Sequence, residues 1–496
     1  MERADFRILL FRYHPYVRSK AESNPKIGAY CAKRLSLFPP LGLAYLAGVL
    51  KNAGYTQVKI IDAWAEELSE TALLEAVEAY KPNLVGCTLW TTNLNDELSI
   101  LEKIKQRLPG VIAAVGGPHL DVYPSECLER AEFIDYGVVG EGEETAVELL
   151  DVIRAGAESP GKIKGIVYRD SKEIVFTGPR PPVSNLDSLP YPDFSDLPMD
   201  RYYSEIEQAG AFIYIYSARG CPYRCRHCFN SRGRVYRAHS IDYTMDYIKF
   251  LKERYGLKQL SIWDETFTFD KRRTLLFCQR FKEEGIRLPY AVRTRIDRID
   301  EEIIRALKDS GCYRIHYGVE SGVQEVLDKM NRKMTLEQVR DIVALTKKHG
   351  LSVTANFMIG YIDESRETYD KTVKFIKELD PDHLNIFITT VLPGTDLYFE
   401  ALERGILKQD VWREYALGKI ASIDTRGLRL PGKDYSTDDL DRMLAQAYRQ
   451  IYFRPRFMLR KLLALRSPKQ IKRYLTPLAA LFSASRNRSV KNNGED

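Results

Sequence analysis

The sequence predicts an α/β protein with two strand-and-helix units and a helical C-terminal region. Residues 1–150 alternate short apolar strands with helices, which is the pattern of a doubly wound, Rossmann-like parallel sheet. Six further strand–helix pairs follow between Phe212 and Gly394, which indicates a partial (βα)6 barrel. The chain has 496 residues, and one hydrophobic core rarely serves more than about 250–300. We therefore expect two or three domains.

The first unit begins with a strand over Phe6–Phe11 and a helix that starts after Pro39-Pro40 and runs to Leu50. Proline at the start and Gly54 beyond the end match the usual asymmetry of helix termini. Ligands bind at the carboxyl ends of the strands in such sheets, so the residues after each strand are the candidates. The four further strands expected in this unit are Val58–Ile61, Leu84–Leu89, Val111–Val115 and Ile134–Val139.

A hairpin over Ile163–Thr177 and a segment with six prolines, Gly178–Pro198, separate the two units. Dense proline favours an extended linker over a packed element. We therefore expect a first domain at 1–155, the hairpin and linker at 156–205, the barrel at 206–395 and the helical region at 396–496. The six strands expected in the barrel are Phe212–Ala218, Gln259–Trp263, Tyr290–Arg293, Arg314–Val319, Ser352–Ile359 and Leu384–Thr390.

Composition and charge exclude several classes of protein. The chain is 44% hydrophobic and 29% charged, which is ordinary for a globular protein and unlike a disordered one. It has no run of 18 uncharged apolar residues, and its first residues do not resemble a signal peptide, so we expect a cytoplasmic protein. The net charge of +6 comes from the C-terminal tail, because residues 1–448 carry a net charge of −4. This distribution does not indicate nucleic-acid binding.

Three cysteines directly follow the first barrel strand, in the segment Ser217-Ala-Arg-Gly-Cys221-Pro-Tyr-Arg-Cys225-Arg-His-Cys228. Three thiolates this close together suit one soft metal centre, and a [4Fe-4S] cluster held by three cysteines leaves one iron open for a ligand. The alternative is a zinc site with His227 or His239 as the fourth ligand, although structural zinc sites usually pair two separated knuckles. The scattered cysteines are expected to be small buried residues: Cys31, Cys87, Cys127, Cys278 and Cys312.

The cysteine segment resembles the signature of the radical S-adenosylmethionine (SAM) superfamily, whose partial barrel matches the six predicted units. The resemblance implies that the open iron binds SAM and that reduction of the cluster cleaves SAM to a 5′-deoxyadenosyl radical. It also implies a SAM site at the ends of successive barrel strands, in segments such as Gly318-Val-Glu320-Ser-Gly322 and Phe357-Met-Ile-Gly-Tyr361. The SAM-binding residues expected from it are Asp264, Glu265, Arg293, Arg295, Gly318, Glu320 and Ile359.

These matches also have structural alternatives. Asp264 and Glu265 are short acidic residues of the kind that cap the start of a helix, and a helix is expected after Phe269. Arg293 and Arg295 are alternatively surface ion-pair residues.

The first unit resembles the cobalamin-binding domain of the B12-dependent radical SAM class, through segments such as Val115-Gly-Gly-Pro-His119 and Val139-Gly-Glu-Gly-Glu143. It lacks the cobalt-ligating DxHxxG motif of other B12 proteins, so His14 is expected to be a loop residue and the cobalt to bind without a protein histidine. Glycines in these segments let the backbone approach a flat ring closely. The residues expected at cobalamin are Leu41, Gly42, Thr88, Trp90, Thr91, Thr92, Gly116, Gly117, Pro118, His119, Gly140, Glu141 and Gly142.

The resemblance implies an enzyme that methylates an unactivated carbon of a lipid, an isoprenoid or a secondary metabolite, with flavodoxin or ferredoxin as the electron donor. One alternative keeps the same cofactors but performs a radical cyclisation, ring contraction or rearrangement without methyl transfer. A second alternative is a cluster or cobalamin carrier without catalysis. The region after Gly394, with Trp412 and Tyr415, is expected to cap the barrel mouth and to carry substrate specificity.

The tail over Tyr448–Tyr474 mixes apolar residues with nine Lys and Arg and no acidic residue. One interpretation is a helix that packs on the barrel and exposes its charges to solvent. The other is peripheral attachment to anionic lipid at the inner face of a membrane, since such helices bind through apolar burial and positive charge together.

Overall fold

The computed structural model describes residues 1–13, 36–156, 160–204 and 212–455. Within them, a seven-stranded sheet forms the first unit in the order β2-β1-β3-β4-β5-β6-β7, and β1 to β5 are parallel. Its strands are β1 (Ile8–Arg12), β2 (Val58–Asp62), β3 (Leu84–Thr88), β4 (Ile112–Gly116), β5 (Tyr136–Val138), β6 (Ile166–Asp170) and β7 (Glu173–Phe176).

Helices cover both faces of this sheet, as the near-continuous apolar strands predict. In β1, Ile8 and Leu10 enter one hydrophobic core, whereas Leu9 and Phe11 enter the other, because successive side chains alternate between faces. The helices are α1 (Leu41–Asn52), α2 (Glu70–Tyr80), α3 (Leu94–Arg107), α4 (Pro124–Arg130) and α5 (Glu143–Ala155).

The hairpin of β6 and β7 belongs to the first sheet, so the boundary expected at residue 155 falls inside this unit. Strand β6 pairs antiparallel with β5, which extends the sheet by two strands beyond its parallel part. The proline-rich segment is irregular, as predicted, but it is packed: Phe194 is fully buried, and Tyr191 stacks on Tyr247 at 4.9 Å. A Cβ at Gly48 of α1 would lie 2.4 Å from the Tyr191 carbonyl oxygen, so glycine allows this close approach.

The second unit confirms the predicted partial barrel: in the part of the chain that the structure describes, six parallel strands lie in the order β8-β11-β12-β13-β14-β15. A short antiparallel hairpin, β9 (Ala218–Arg219) with β10 (Arg237–Ala238), follows the first of these strands. The barrel strands are β8 (Phe212–Ile215), β11 (Gln259–Ile262), β12 (Tyr290–Thr294), β13 (Cys312–Glu320), β14 (Ser352–Ile359) and β15 (His383–Ile388).

Amphipathic helices connect the barrel strands. The helix predicted over Leu336–Lys348 has those bounds, and Thr335 with Gln338 forms a capping box at its start. The barrel helices are α6 (Ile241–Tyr255), α7 (Lys271–Glu283), α8 (Glu301–Asp309), α9 (Gln324–Lys329), α10 (Leu336–Lys348) and α11 (Arg366–Leu379).

The C-terminal region fastens the barrel to the first unit. It contains α12 (Asp396–Glu403), α13 (Val411–Ala416) and α14 (Asp439–Tyr452). From α13, Arg413 pairs with Glu126 of α4 at 2.9 Å. Buried Trp412 donates its indole N–H to a carbonyl just after β15. These contacts place this region at the junction of the two units.

Helix α14 packs on the barrel edge, where the Tyr448 hydroxyl contacts the backbone of β15. No helix in the described ranges is long and apolar enough to cross a membrane. The rest of the basic tail, from residue 456, lies outside the described residues, as do Cys31 and His14.

A buried carboxyl group ties the C-terminal region to the end of β14. Glu364 accepts hydrogen bonds from the Gly360 backbone N–H at 2.5 Å and from the Tyr435 hydroxyl at 3.1 Å. Burial raises the pKa of Glu364 from its ordinary 4.5 to about 7. Between these two values the folded chain binds more protons at this site than the unfolded chain does. Stability from this group is therefore lost as the pH rises through that window.

We predict that Glu364→Gln makes thermal stability less dependent on pH between 4.5 and 7. Glutamine keeps an acceptor for Gly360 and Tyr435 but does not titrate. Calorimetric melting temperatures across this range measure the effect, and Glu367→Gln, at an exposed carboxylate nearby, is the control that retains the wild-type decline. Equal slopes for wild type and Glu364→Gln would contradict the prediction.

Candidate functional site

A cavity of about 630 Å³ lies at the carboxyl ends of the first sheet and extends to the barrel. Barrel residues Tyr214, Tyr216 and Trp263 line its far side, together with Arg219 and Arg232 from the cysteine hairpin. The cavity therefore runs from the first unit to the cysteine segment. The predicted cobalamin residues that line it are Leu41, Gly42, Thr88, Trp90, Thr92, Gly116, Gly117, Pro118, Gly140, Glu141 and Gly142.

Two predicted cobalamin residues do not line this cavity. His119 is fully buried, and its Nδ1 lies 3.1 Å from the Thr91 hydroxyl. Its ring packs against Tyr123 at 5.7 Å. Burial, with a smaller effect from Arg130, lowers the pKa of His119 to about 4, so the imidazole is neutral near pH 7. In this structure His119 and Thr91 contact each other behind the cavity wall.

Glycines shape the cavity for a broad, flat group. A Cβ at Gly42 or at Gly140 would have no atom within 4 Å, so a side chain there would extend into open space. Gly117 is in the left-handed region (φ +104°), and its Cβ would lie 2.5 Å from the Thr88 side chain. Apolar side chains such as Leu10 line the depth of the cavity. These residues fit a corrin ring with a buried nucleotide tail.

The cysteine segment is held by its own hairpin. Gly220 must be glycine, since its φ is +86° and a Cβ would lie 2.1 Å from the Val235 carbonyl oxygen. The Asn230 side-chain amide donates to the Cys221 carbonyl at 3.1 Å, and the Asn331 amide donates to the Arg224 carbonyl at 2.7 Å. The loop therefore has a fixed backbone.

Two buried arginines surround the middle cysteine. Arg295 donates to the Cys225 sulfur at 3.5 Å, and Arg332 donates to it at 3.4 Å. The Cys228 backbone N–H donates to the Cys225 carbonyl at 3.0 Å, so these two cysteines lie within one tight turn. Positive donors at a sulfur favour the thiolate that ligates iron. This donor set fits a cluster held by three cysteines.

The zinc alternative requires His227 or His239 as a fourth ligand beside the three cysteines. His239, expected in the zinc alternative, stacks on Tyr243 at 4.1 Å and contacts Asp187 at 3.1 Å.

Asp264 and Glu265 follow β11 and do not cap a helix, so that alternative is wrong: Asp270 caps α7. Asp264 is buried and accepts from the Ser217 and Ala218 backbone N–H groups at 2.6 and 3.0 Å. It therefore braces the backbone just before the cysteines.

Glu265 pairs with Arg232 at 2.9 Å through one carboxylate oxygen. The other oxygen, Oε2, is buried and has no hydrogen-bond partner among the described residues. An unpaired buried carboxylate oxygen is costly without a partner, and it suits a ligand ammonium group such as the amino group of SAM.

Of the two arginines expected at the SAM carboxylate, Arg295 is buried and is not a surface ion-pair residue. Arg293 lies over the Trp263 ring at 3.8 Å, at the barrel side of the cavity. Arg295 is 4% exposed, and Asp297 accepts from its guanidinium at 2.7 Å. Because Arg295 also contacts Cys225, it lies at the cysteine loop.

The end of β13 has a strained backbone. Glu320 has φ +74°, in the left-handed region that non-glycine residues seldom occupy, and such strain is concentrated at binding sites. Its carboxylate lies 3.7 Å from Arg332. Gly318 leaves room for both groups, because its Cβ would lie 2.5 Å from Glu320 Oε1. Ile359 is fully buried, and its carbonyl accepts from the Thr389 N–H at 2.8 Å.

The sequence reasoning missed Arg332, Arg232 and Arg237. Arg332 follows α9 and carries no motif, so only the folded loop shows its contact with Cys225. Arg232 and Arg237 lie just beyond the cysteines in sequence. Only the folded hairpin of β9 and β10 brings them back to the cysteine loop.

We predict that Gly42→Leu weakens binding of hydroxocobalamin by about tenfold or more, which corresponds to about 1.4 kcal/mol. The leucine side chain would enter the cavity, whereas the methyl group of Gly42→Ala occupies little of it. Equilibrium dialysis measures the affinities, and Gly42→Ala serves as the size control. Wild-type affinity in Gly42→Leu would show that the start of α1 does not contact the corrin.

Comparison with family models finds two matches along the chain. The B12 binding domain matches residues 27–150, and the radical SAM superfamily matches residues 215–376. The first match contains strands β2 to β5 of the sheet that forms one side of the cavity, and the second contains the cysteine loop and strands β11 to β14 of the barrel.

Two curated relatives match most of the chain. An uncharacterized methyltransferase of Pyrococcus horikoshii is 32% identical over 424 residues, which cover 85% of this chain and 89% of the relative. The anaerobic magnesium-protoporphyrin IX monomethyl ester cyclase of Rubrivivax gelatinosus is 30% identical over 371 residues, covering 73% of this chain and 66% of the relative.

The fold also matches a solved structure, that of the cobalamin-dependent SAM radical enzyme OxsB with aqua-cobalamin and SAM bound. Its TM-score is 0.73 at 16% identity, with 96% of this chain and 71% of that chain covered. The arrangement of a B12-binding sheet followed by a partial barrel is thus shared along nearly the whole chain. The protein belongs to the B12-binding-domain-containing radical SAM proteins, enzymes whose cofactors are a [4Fe-4S] cluster, SAM and cobalamin.

Proposed function

We propose that this enzyme methylates an unactivated carbon of a lipid, an isoprenoid or a secondary metabolite. The observation that carries the proposal is one continuous cavity, which reaches from the strand ends of the B12-binding sheet to the cysteine hairpin. The methyltransferase relative, similar over most of both chains, supports transfer of a methyl group. Such chemistry depends on placing two reactive centres on either side of one substrate.

The residues have separate tasks in this proposal. Cys221, Cys225 and Cys228 hold the cluster, and Glu265 Oε2 receives the amino group of SAM. Together, the bound cofactors supply hydrogen-atom abstraction and a transferable methyl group. The remaining proposed SAM contacts are Asp264, Arg293, Arg295, Gly318, Glu320 and Ile359. The cavity-lining residues named above contact cobalamin, Glu141 through its backbone only, because protein groups occupy its carboxylate.

Aromatic rings form the barrel side of the cavity. Tyr214 stacks on Trp263 at 4.4 Å, and Phe38 packs edge-on against Trp263 at 4.6 Å. Arg232 lies over the Tyr216 ring at 3.8 Å. An aromatic wall of this kind suits an apolar substrate.

A second candidate is a radical cyclisation or rearrangement without methyl transfer. The cyclase relative, at 30% identity, favours it, and the cavity geometry accommodates either reaction.

We predict that anaerobic enzyme with dithionite, SAM and its substrate forms both S-adenosylhomocysteine and 5′-deoxyadenosine, because methylation consumes two SAM molecules for different purposes. Chromatography with mass spectrometry measures both products. The substrate is identified beforehand by comparing lipid and metabolite extracts of a deletion strain with those of its parent. Cys225→Ala abolishes 5′-deoxyadenosine, whereas Cys278→Ala, a buried cysteine in α7, retains it. Formation of 5′-deoxyadenosine without S-adenosylhomocysteine would contradict methylation and favour the radical cyclisation or rearrangement.

We further propose flavodoxin or ferredoxin as the electron donor and peripheral contact of the basic tail with anionic lipid. Each Lys or Arg near such a surface contributes about 1 kcal/mol, an attraction that salt screens.

The full chain is therefore expected to sediment with phosphatidylglycerol vesicles at low salt and to be released at high salt. A chain ending at Pro455 keeps α14, which packs on the barrel, and is expected not to sediment. Equal, negligible binding of both chains would rule out the membrane contact.

A further inference from the structure

The hairpin that carries the three cysteines is held in place through both of its strands, β9 and β10. Arg219 in β9 and Arg237 in β10 face each other in antiparallel register. All three cysteines lie between these two arginines in sequence. Whatever holds the two guanidinium groups therefore holds the base of the cluster-binding loop.

Two glutamates of the B12-binding unit hold these guanidinium groups. Glu141 accepts from Arg237 through both oxygens, at 2.8 and 2.9 Å, and lies 3.2 Å from Arg219. Glu143 pairs with Arg219 at 2.7 Å. The side chains of Arg219 and Glu143 are each only 8% exposed. Buried, bidentate pairs such as these have a fixed geometry, unlike mobile surface pairs.

The proline-rich segment contacts both members of the Glu141–Arg237 pair. The Val183 N–H donates to Glu141 at 2.8 Å, and its carbonyl accepts from Arg237 at 2.6 Å. The Arg219 guanidinium also lies over the Tyr45 ring of α1, at 5.0 Å. Four segments of the chain thus meet at one group of charges: the cysteine hairpin, residues 141–143, the proline-rich segment and α1.

These charges lie between the two cofactor sites. Glu141, Glu143 and Arg219 line the cavity itself, while Arg219 is two residues from Cys221. The carboxylate of Glu141 is fully engaged with protein partners. Its position therefore suits fixing one site against the other better than binding a ligand.

We propose that Glu141, Glu143, Arg219 and Arg237 form a clamp that sets the distance and orientation of the cluster loop relative to cobalamin. They are positioning residues: they act through the loop backbone and not on SAM itself. This role extends the proposed methyl transfer. The first test below rests on that proposed function, and the second does not. It adds a role to the segment Gly140-Glu-Gly-Glu143, which joins the two sites.

The first test compares two reactions of SAM in Glu141→Gln holoenzyme without substrate. Cleavage to methionine and 5′-deoxyadenosine needs the cluster alone: an electron from dithionite breaks the C5′–sulfur bond, and the buffer supplies a hydrogen atom. Formation of S-adenosylhomocysteine also needs cobalamin, whose reduced cobalt supplies the electron pair that bonds the methyl group as the sulfonium releases it. Glu144→Gln, which loses an exposed pair with Arg180, is the control.

The clamp predicts that Glu141→Gln lowers S-adenosylhomocysteine formation by up to about 100-fold, the loss that a ~1 Å misplacement causes. Deoxyadenosine formation, iron content and hydroxocobalamin affinity stay within about threefold of wild type, a change below 1 kcal/mol. An unchanged ratio of the two products would overturn the proposal. So would a parallel loss of cobalamin affinity, because Glu141 would then be a cobalamin ligand.

The second test is independent of methyl transfer. Anomalous diffraction from holoenzyme crystals gives the cobalt-to-cluster distance in wild type and in Glu141→Gln, and the clamp predicts a measurable shift between them. If wild type forms no S-adenosylhomocysteine, the proposed function fails while this distance still decides the clamp. If Glu141→Gln does not fold, Arg237→Lys replaces it in both tests, because lysine keeps the charge but loses the bidentate contact. Identical cobalt-to-cluster distances in the folded variant and in wild type would refute the clamp.

Discussion

The structure depends on apolar packing between the B12-binding sheet and the barrel. One continuous core takes in Leu10 of β1, Leu41 of α1, Ile213 of β8 and Phe194 of the proline-rich segment. The two units therefore share one hydrophobic core and are not joined by a linker alone. Because each sheet binds ligands at its carboxyl edge, burying the surface between them brings the two edges to one cavity.

Several charges at this junction are held in ion pairs. Arg12 at the end of β1 pairs with buried Asp62, which also accepts from the Tyr202 hydroxyl at 2.7 Å. The clamp follows the same rule with two carboxylates and two guanidinium groups. Removing one partner of a buried pair leaves an uncompensated charge, which typically costs about 3–5 kcal/mol. Such networks give the junction a single geometry, which apolar packing alone specifies less strictly.

The cysteine loop shows how backbone and charge act together. Gly220 turns the chain where no other residue fits, and Asp264 holds the backbone before it. Arg295 and Arg332 then reach the same sulfur from the residue after β12 and from the loop after α9. The site is therefore assembled from the ends of several strands, and its electrostatics come from residues distant in sequence.

The sequence by itself determined the fold class, the six barrel units and the cysteine cluster, because these follow from local periodicity and spacing. It also placed Asp264 and Glu265 at a strand end, and the helix over Leu336–Lys348 with its bounds. It did not show that the hairpin of β6 and β7 joins the first sheet, since strand pairing is a long-range choice. Nor did it show that Glu141 faces Arg237, because residues 96 positions apart meet only after both units have folded against each other.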